Sequence, residues 1–213
     1  MKCKPSALVV TALAALAVCP AAAHASFAPR VSLNIDPATP DARPAISATV
    51  TESAGDTPPR RFTLSFPRGF ALKHPSGVET CTPKQRRAKH CRRASEIGSV
   101  AAVTPAGARL RGTVNLARHG KRREIAVLLR GTDGMPDMGF VGYSRMSAAG
   151  VSQLTLDGLP NVPLTSFTVR LTGGTRGLVT TPRGCGSSTV QGLLTSQLGE
   201  LAVGLTPVQI AGC

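Results

Sequence analysis

The segment Ser166-Phe167-Thr168-Val169-Arg170-Leu171-Thr172 alternates polar and apolar side chains at every position. Successive side chains of a β-strand point to opposite faces, so Phe167, Val169 and Leu171 are expected to share one buried face. The segment 61–66 alternates in the same way. Two such segments in one chain indicate a fold built from strands with one face on a core and one face in water.

Short runs of this type recur along the chain, with turn residues between them. We expect strands at Val31–Ile35, Ala45–Thr51, Arg61–Phe66, Ile97–Val103, Leu110–Leu116, Glu124–Arg130, Gly139–Arg145, Val151–Leu156, Ser166–Thr172, Gly177–Thr181, Thr189–Leu194 and Glu200–Leu205. This spacing is typical of a sandwich or barrel. We therefore expect residues 26–213 to form a single all-β domain, a sandwich of two mainly antiparallel sheets. The pair Gly173-Gly174 predicts a tight hairpin between two of the strands.

One segment, near residues 83–94, has the pattern of a short basic helix. Thr82 can cap its start, Pro83 suits the first helical position, and no breaker interrupts the residues that follow. On a helix, Lys84, Ala88, Cys91 and Ser95 would share one face; we expect that face to pack on the sheet and the other faces to be cationic.

The first residues have the three parts of a secretory signal peptide. Lys2 and Lys4 precede an apolar run at 7–18, and the small-residue triplet Ala23-His24-Ala25 follows it. The apolar run is well short of the roughly 20 residues that span a bilayer. We therefore expect residues 1–25 to be removed before Ser26 and the protein to be secreted.

An alternative use of this region is lipid attachment at Cys19. The stretch Leu16-Ala17-Val18-Cys19 resembles a bacterial lipobox, in which the cysteine becomes the lipidated N-terminus. The residue before the cysteine is normally small, and Val18 departs from that pattern. A lipoprotein is the minority alternative.

Four cysteines remain after the expected cleavage. They are Cys81, Cys91, Cys185 and Cys213. An even number of cysteines in an exported chain indicates disulfides, and four cysteines permit three pairings. We favour Cys81–Cys91 and Cys185–Cys213, because each cysteine is then bonded to its nearest partner in sequence. A zinc site is disfavoured, because the C-x₂-C spacing is absent and His90 stands alone beside Cys91.

The middle and C-terminal parts resemble a group of uncharacterised secreted proteins of actinobacteria. The matching residues are Cys81 with Cys91, Ser95-Glu96-Ile97-Gly98-Ser99-Val100, Leu110-Arg111-Gly112-Thr113-Val114, Leu159-Pro160-Asn161-Val162-Pro163-Leu164-Thr165-Ser166-Phe167, Gly173-Gly174, and Cys185 with Cys213. This resemblance implies export and an all-β fold. It carries no activity over to any residue.

The motifs of common enzyme classes are absent from the sequence. His74, His90 and His119 lack the context of a Ser-His-Asp hydrolase, and the segment 142–146 lacks the final glycine of a nucleophile elbow. Zinc-protease and phosphate-loop motifs are also missing. We expect no enzymatic activity and no cofactor or metal; an uncharacterised hydrolase is the third choice of function.

Positive charge is concentrated in one region of the sequence. Residues 60–130 carry 17 Lys and Arg against 3 Asp and Glu, whereas the rest of the mature chain carries 6 against 8. The candidate anion-binding residues are Lys84, Arg86, Arg87, Lys89, Arg92, Arg93, Arg118, Lys121, Arg122 and Arg123. Clustered cations attract phosphate polymers, but aromatic residues that stack on bases are missing among them.

The function expected from the sequence is that of a non-enzymatic secreted or cell-surface structural or interaction protein. The alternative is a charge-driven binder of extracellular anionic polymers, such as wall polymer, nucleic acid or anionic lipid. In that case Arg86, Arg87, Lys89, Arg92 and Arg93 should all present charge to solvent. No sequence-specific nucleic-acid recognition and no transmembrane segment in the mature protein are expected.

Overall fold

The computed structural model of the chain describes residues 27–120, 122–132 and 134–213. The expected signal peptide, its cleavage before Ser26, the alternative lipid site at Cys19, and Lys121 all lie outside the described residues. The described part is all-β, as the alternating segments predicted. None of the helices in these ranges is long and apolar enough to cross a membrane.

All twelve predicted strands are present within the described residues, with shifted ends, and a short thirteenth strand was not predicted. The elements are β1 (Arg30–Asp36), β2 (Ala45–Thr51), β3 (Pro59–Phe66), β4 (Ala71–Leu72), α1 (Pro83–Arg87), β5 (Glu96–Val103), β6 (Arg109–His119), β7 (Arg122–Arg130), β8 (Met138–Met146), β9 (Ser152–Asp157), β10 (Ser166–Leu171), β11 (Val179–Thr180), β12 (Gly186–Ser196) and β13 (Leu201–Ile210). Two 3₁₀ turns lie at Arg93–Ser95 and Gly174–Arg176.

Eleven strands form one antiparallel sheet, and β4 and β11 form a separate pair. The order in the large sheet is β1-β2-β10-β5-β6-β7-β8-β9-β3-β12-β13. The sheet is nearly barrel-shaped. Val31 on β1 lies against Gly192 on β12 and Gly204 on β13. A Cβ atom added to either glycine would come within 2.9 Å of the Val31 side chain. The expected division into two sheets is not confirmed, because hydrogen-bonded pairing continues from β1 to β13.

The core fills the inside of this curved sheet. The inward positions are those that the alternation predicted: Phe167, Val169 and Leu171 on β10 are all buried. Twelve large side chains are less than 2% exposed, among them Phe62 and Phe66 on β3. Full burial of such a side chain stabilises the fold by about 1.5–3 kcal/mol. Because the inner positions are taken by the core, the outer face is left for solvent and for any ligand.

The predicted hairpin at Gly173-Gly174 is wrong. The chain makes a 3₁₀ turn there, and the next strand, β11, pairs with β4 instead of β10. At Gly173 an added Cβ would lie 2.7 Å from the backbone nitrogen of Ala45. The amide of Gly174 donates to the carbonyl of Arg43 at 2.8 Å. This glycine pair therefore serves close backbone approach to the start of β2.

The helix is shorter than predicted. Thr82 caps the start and Pro83 occupies the first turn, as expected, and Gln85 completes a capping box; but α1 ends at Arg87, and Lys89 has a φ of 50°. A continuous helix rises about 1.5 Å per residue and would carry residue 91 about 12 Å beyond residue 83. The Cys81–Cys91 disulfide instead holds the two Cα atoms 5.3 Å apart. The predicted shared face of Lys84, Ala88, Cys91 and Ser95 therefore does not form.

The two disulfides have the favoured pairing, Cys81–Cys91 and Cys185–Cys213. Cys81 is fully buried on the outer side of the sheet, where it packs against Ala117 and Ala126. Its amide donates to the carbonyl of Leu116 at 2.7 Å, which fixes the start of the loop to β6. The disulfide thus attaches α1 and its cations to the outer face of β6 and β7.

Candidate anion-binding surface

The outer face of β10, β5 and β6 carries a groove bordered by two arginines. Its volume is about 490 Å³, and it is lined by Ser99, Val100, Ala101, Arg111, Gly112, Thr168 and Arg170. Antiparallel register places Arg170 opposite Ser99 on β5, and Arg111 opposite Ala101. The floor is low because its side chains are small, whereas the two arginines on either side are long and exposed. We call this feature the strand groove.

A third arginine continues the same face. Arg130 on β7 lies directly opposite Arg111 on β6. Like charges in directly opposite positions destabilise a sheet. In the described ranges no carboxylate lies within 4.0 Å of Arg111, Arg130 or Arg170. An anion bound in the strand groove would relieve this repulsion, and guanidinium groups can bind phosphate or carboxylate with two hydrogen bonds.

A second groove lies between α1 and the outer face of β7 and β8. Its volume is about 310 Å³, and it is lined by Pro83, Arg86, Arg87, Lys89, Ala126, Leu128, Gly139, Phe140 and Val141. The Lys89 ammonium donates to the carbonyl of Asp137, which joins the end of α1 to the loop before β8. Leu128 pairs with Thr113, and Thr113 pairs with Ser99, so this helix groove and the strand groove share one sheet face.

Arg86 does not present a free charge to solvent, which corrects the prediction made for it. Its guanidinium donates to the Glu124 carboxylate at 2.8 Å, and both side chains are less than 20% exposed. The His119 ring lies 3.6 Å from the other oxygen of the same carboxylate. Arg86 therefore has a structural role, because it ties α1 to the β6–β7 hairpin and neutralises its only acid.

Two cations of the second predicted cluster, Arg118 and Arg123, point away from the first cluster. Ala117 and Glu124 form one cross-strand pair of the β6–β7 hairpin, and both face α1. Arg118 and Arg123 form the next pair along the hairpin, so their side chains point to the opposite face. They therefore project from the other side of the hairpin, where they line a cavity of about 310 Å³ with His74. Alternation along the strands separates side chains that are neighbours in sequence.

The remaining predicted cations are exposed but dispersed. Lys84 and Arg87 lie on α1, Arg93 begins the 3₁₀ turn, and Arg122 begins β7 opposite His119. Arg92 lies 4.0 Å from the carboxylate of Glu79. Of the predicted set, Arg87 and Lys89 are the exposed cations that line a groove on the same sheet face as Arg111 and Arg170.

The fold brings one serine and one histidine together, which the sequence did not indicate. The Ser144 hydroxyl lies 3.4 Å from the His74 Nε2 atom. Burial lowers the pKa of His74, and the positive charge of Arg123 lowers it further, so both effects favour the neutral imidazole. Among the described side chains, no carboxylate forms a hydrogen bond or ion pair with His74 that would complete a catalytic triad.

The strand groove could not be predicted from the sequence, because its arginines are far apart along the chain. Alternation does predict that Arg111 and Arg170 face solvent, since each lies between inward-facing residues. Their proximity depends on β10 pairing with β5, a non-consecutive neighbour that no local pattern specifies. Comparison with protein-family models, curated proteins and solved structures found no match.

Proposed function

We propose that this protein is a non-enzymatic, exported surface or matrix protein that holds anionic polymer by charge on the outer face of its sheet. The observation that supports this most is the strand groove, where Arg111 and Arg170 face each other across a floor of small residues and have no carboxylate within 4.0 Å among the described residues. Arg130 extends the positive face, and Arg87 and Lys89 border the helix groove beside it.

Export is part of the proposal, with removal of the signal peptide before Ser26 and no lipid at Cys19. The two disulfides support it, because such bonds persist mainly in oxidising compartments outside the cytosol. The anionic ligand would be a wall polymer, extracellular nucleic acid or an anionic lipid surface.

Recognition in the strand groove would depend on charge and not on sequence. No aromatic side chain lines it, so bases have nothing on which to stack. Arginine contacts to phosphate contribute affinity that is independent of base identity and falls steeply with salt. We therefore expect the ligand to carry a closely spaced row of negative charges.

The test is retention of the exported protein on duplex DNA, on a poly(glycerol phosphate) polymer and on anionic vesicles over a range of salt concentrations. The double variant Arg111→Gln, Arg170→Gln removes two of the proposed phosphate contacts. On duplex DNA, the slope of log affinity against log salt should become shallower by about 2, since each contact contributes about 0.9.

A matched control removes two charges from the other side of the sheet. Arg60 lies in β3 and Arg68 lies just after it, far from β5 in strand order, and both are exposed. The variant Arg60→Gln, Arg68→Gln should keep the full slope. Absence of retention on all three anions at low salt would reject the binding function and leave a purely structural role. An unchanged slope in the Arg111, Arg170 variant would reject the strand groove.

A further inference from the structure

The edge strand β13 exposes an apolar row. Leu201, Val203 and Leu205 are 65%, 56% and 65% exposed, and Leu198 in the preceding turn is 75% exposed. These three strand residues alternate, so they share the outer face of the sheet. Val31 of β1 covers the inner side of β13 at Gly204 and leaves the outer row uncovered.

Within the described residues, the backbone of Leu201–Leu205 also has one edge to which no strand is paired. The Ser196 amide donates to the Glu200 carbonyl at 2.9 Å, so the even-numbered residues of β13 bond to β12 and the odd-numbered ones face the open edge. No described strand pairs with that edge. Pro207 has no N–H and limits any new pairing to residues 201–205.

Charge favours a second copy of this chain as the occupant. The strands β12 and β13 contain no charged residue, although the chain as a whole has a net charge of +14. Two copies repel each other through their net positive charge, and the strands β12 and β13 add no cation of their own to that repulsion. Long uncharged apolar edge strands readily pair with a copy of themselves.

We infer that two copies of this protein associate through antiparallel pairing of their β13 strands about a two-fold axis at Val203. In this register Val203 lies opposite its own counterpart, and Leu201 lies opposite the second copy's Leu205. The row is therefore self-complementary, as a two-fold interface requires. The two sheets become continuous, and both strand grooves stay open because β5, β6 and β10 are remote from β13 in strand order.

Sedimentation equilibrium of the exported protein tests this association. The wild type should have twice the mass of one chain and dissociate on dilution. Val203→Lys places two ammonium groups at the axis and should weaken association by about 100-fold or more. The control Met146→Lys introduces the same charge at an exposed apolar residue of β8 and should leave association unchanged.

A cysteine at the axis gives a second readout that does not depend on the stability of the lysine variant. Directly opposite hydrogen-bonded residues have Cα atoms about 5.5 Å apart, which suits a disulfide. Val203→Cys should cross-link two chains under mild oxidation, whereas Gln209→Cys, beyond Pro207 on the same strand, should not. A wild type that is monomeric at all concentrations, or that associates without the Val203→Cys cross-link, would overturn the inference.

Discussion

Glu52 is a carboxyl group that the fold buries almost completely. The residue is 7% exposed, and its Oε1 atom has no hydrogen-bond partner in the described part of the chain. Burial raises its pKa to about 7; the Leu164 amide partly offsets this effect, and the negative charge of Asp56 adds to it. An ordinary glutamate in an unfolded chain has a pKa near 4.5. The folded protein therefore binds a proton here more tightly than the unfolded chain does.

This difference gives a pH dependence with a definite sign. Because the folded pKa is the higher one, the contribution of Glu52 to stability is greatest below about pH 4.5 and falls as pH rises toward 7. The full loss is on the order of 3 kcal/mol. Glu52→Gln should abolish this loss. In urea unfolding, the free energy of unfolding of the variant relative to wild type should therefore increase between pH 5 and pH 8. Glu79→Gln, at an exposed carboxylate, is the control; an equal change there would contradict the assignment.

At the scale of elements, the segment 81–95 is held to the sheet by few contacts. None of the residues of α1 is fully buried, so the helix has no apolar face of its own on the core. The attachments include the Cys81–Cys91 disulfide, the Arg86–Glu124 ion pair, the bond from Lys89 to the Asp137 carbonyl and the hydrogen bond between Ser95 and Asn115. Charges on such an element are positioned by these bonds, since its own packing contributes little.

The two disulfides should therefore have different consequences when removed. In the chain-entropy model, Cys81→Ala with Cys91→Ala lowers the free energy of unfolding by about 3 kcal/mol, and Cys185→Ala with Cys213→Ala by about 3.5 kcal/mol. The Cys81→Ala, Cys91→Ala variant should also weaken retention on duplex DNA, because α1 with Arg87 and Lys89 is released from the sheet. The second pair should leave retention unchanged below the unfolding temperature. Equal retention in both variants would show that α1 does not take part.

At the scale of the whole molecule, the order of strands decides which charges act together. Arg111 and Arg170 are 59 positions apart in sequence, yet they lie on strands that both pair with β5. Arg118 and Arg123 are five positions apart from each other and close to Glu124, yet they project away from α1 and its cations. The positive region of the sequence is thus divided between two sides of the sheet.

The proposed export signal gives a prediction for the intact protein. Because residues 1–25 have the charged start, apolar middle and small-residue end of a secretory signal, the protein isolated outside the cell should begin at Ser26. N-terminal sequencing and intact mass measure this directly. The mass should correspond to an unmodified chain with two disulfides. A diacylated N-terminal cysteine at position 19 would instead identify a lipoprotein.

The sequence by itself determined the secondary structure and the inward face of most strands. Alternation at 61–66 and 166–172 is a local property, because each side chain's face follows from its position along one strand. The capping box at Thr82 and the favoured cysteine pairing likewise involve residues close in sequence. The predicted helix was too long because the Cys81–Cys91 bond turns the chain back, so that α1 ends at Arg87.

Only the tertiary structure decided the single curved sheet, the strand groove and the exposed edge of β13. Each depends on which strands become neighbours, and non-consecutive pairs such as β10 with β5 are selected by the packing of the whole core. Charge counted along the chain could therefore locate a basic region but not a binding face. Arg86 illustrates the reason: its partner, Glu124, is 38 positions away, and their contact exists only when β7 passes beneath α1.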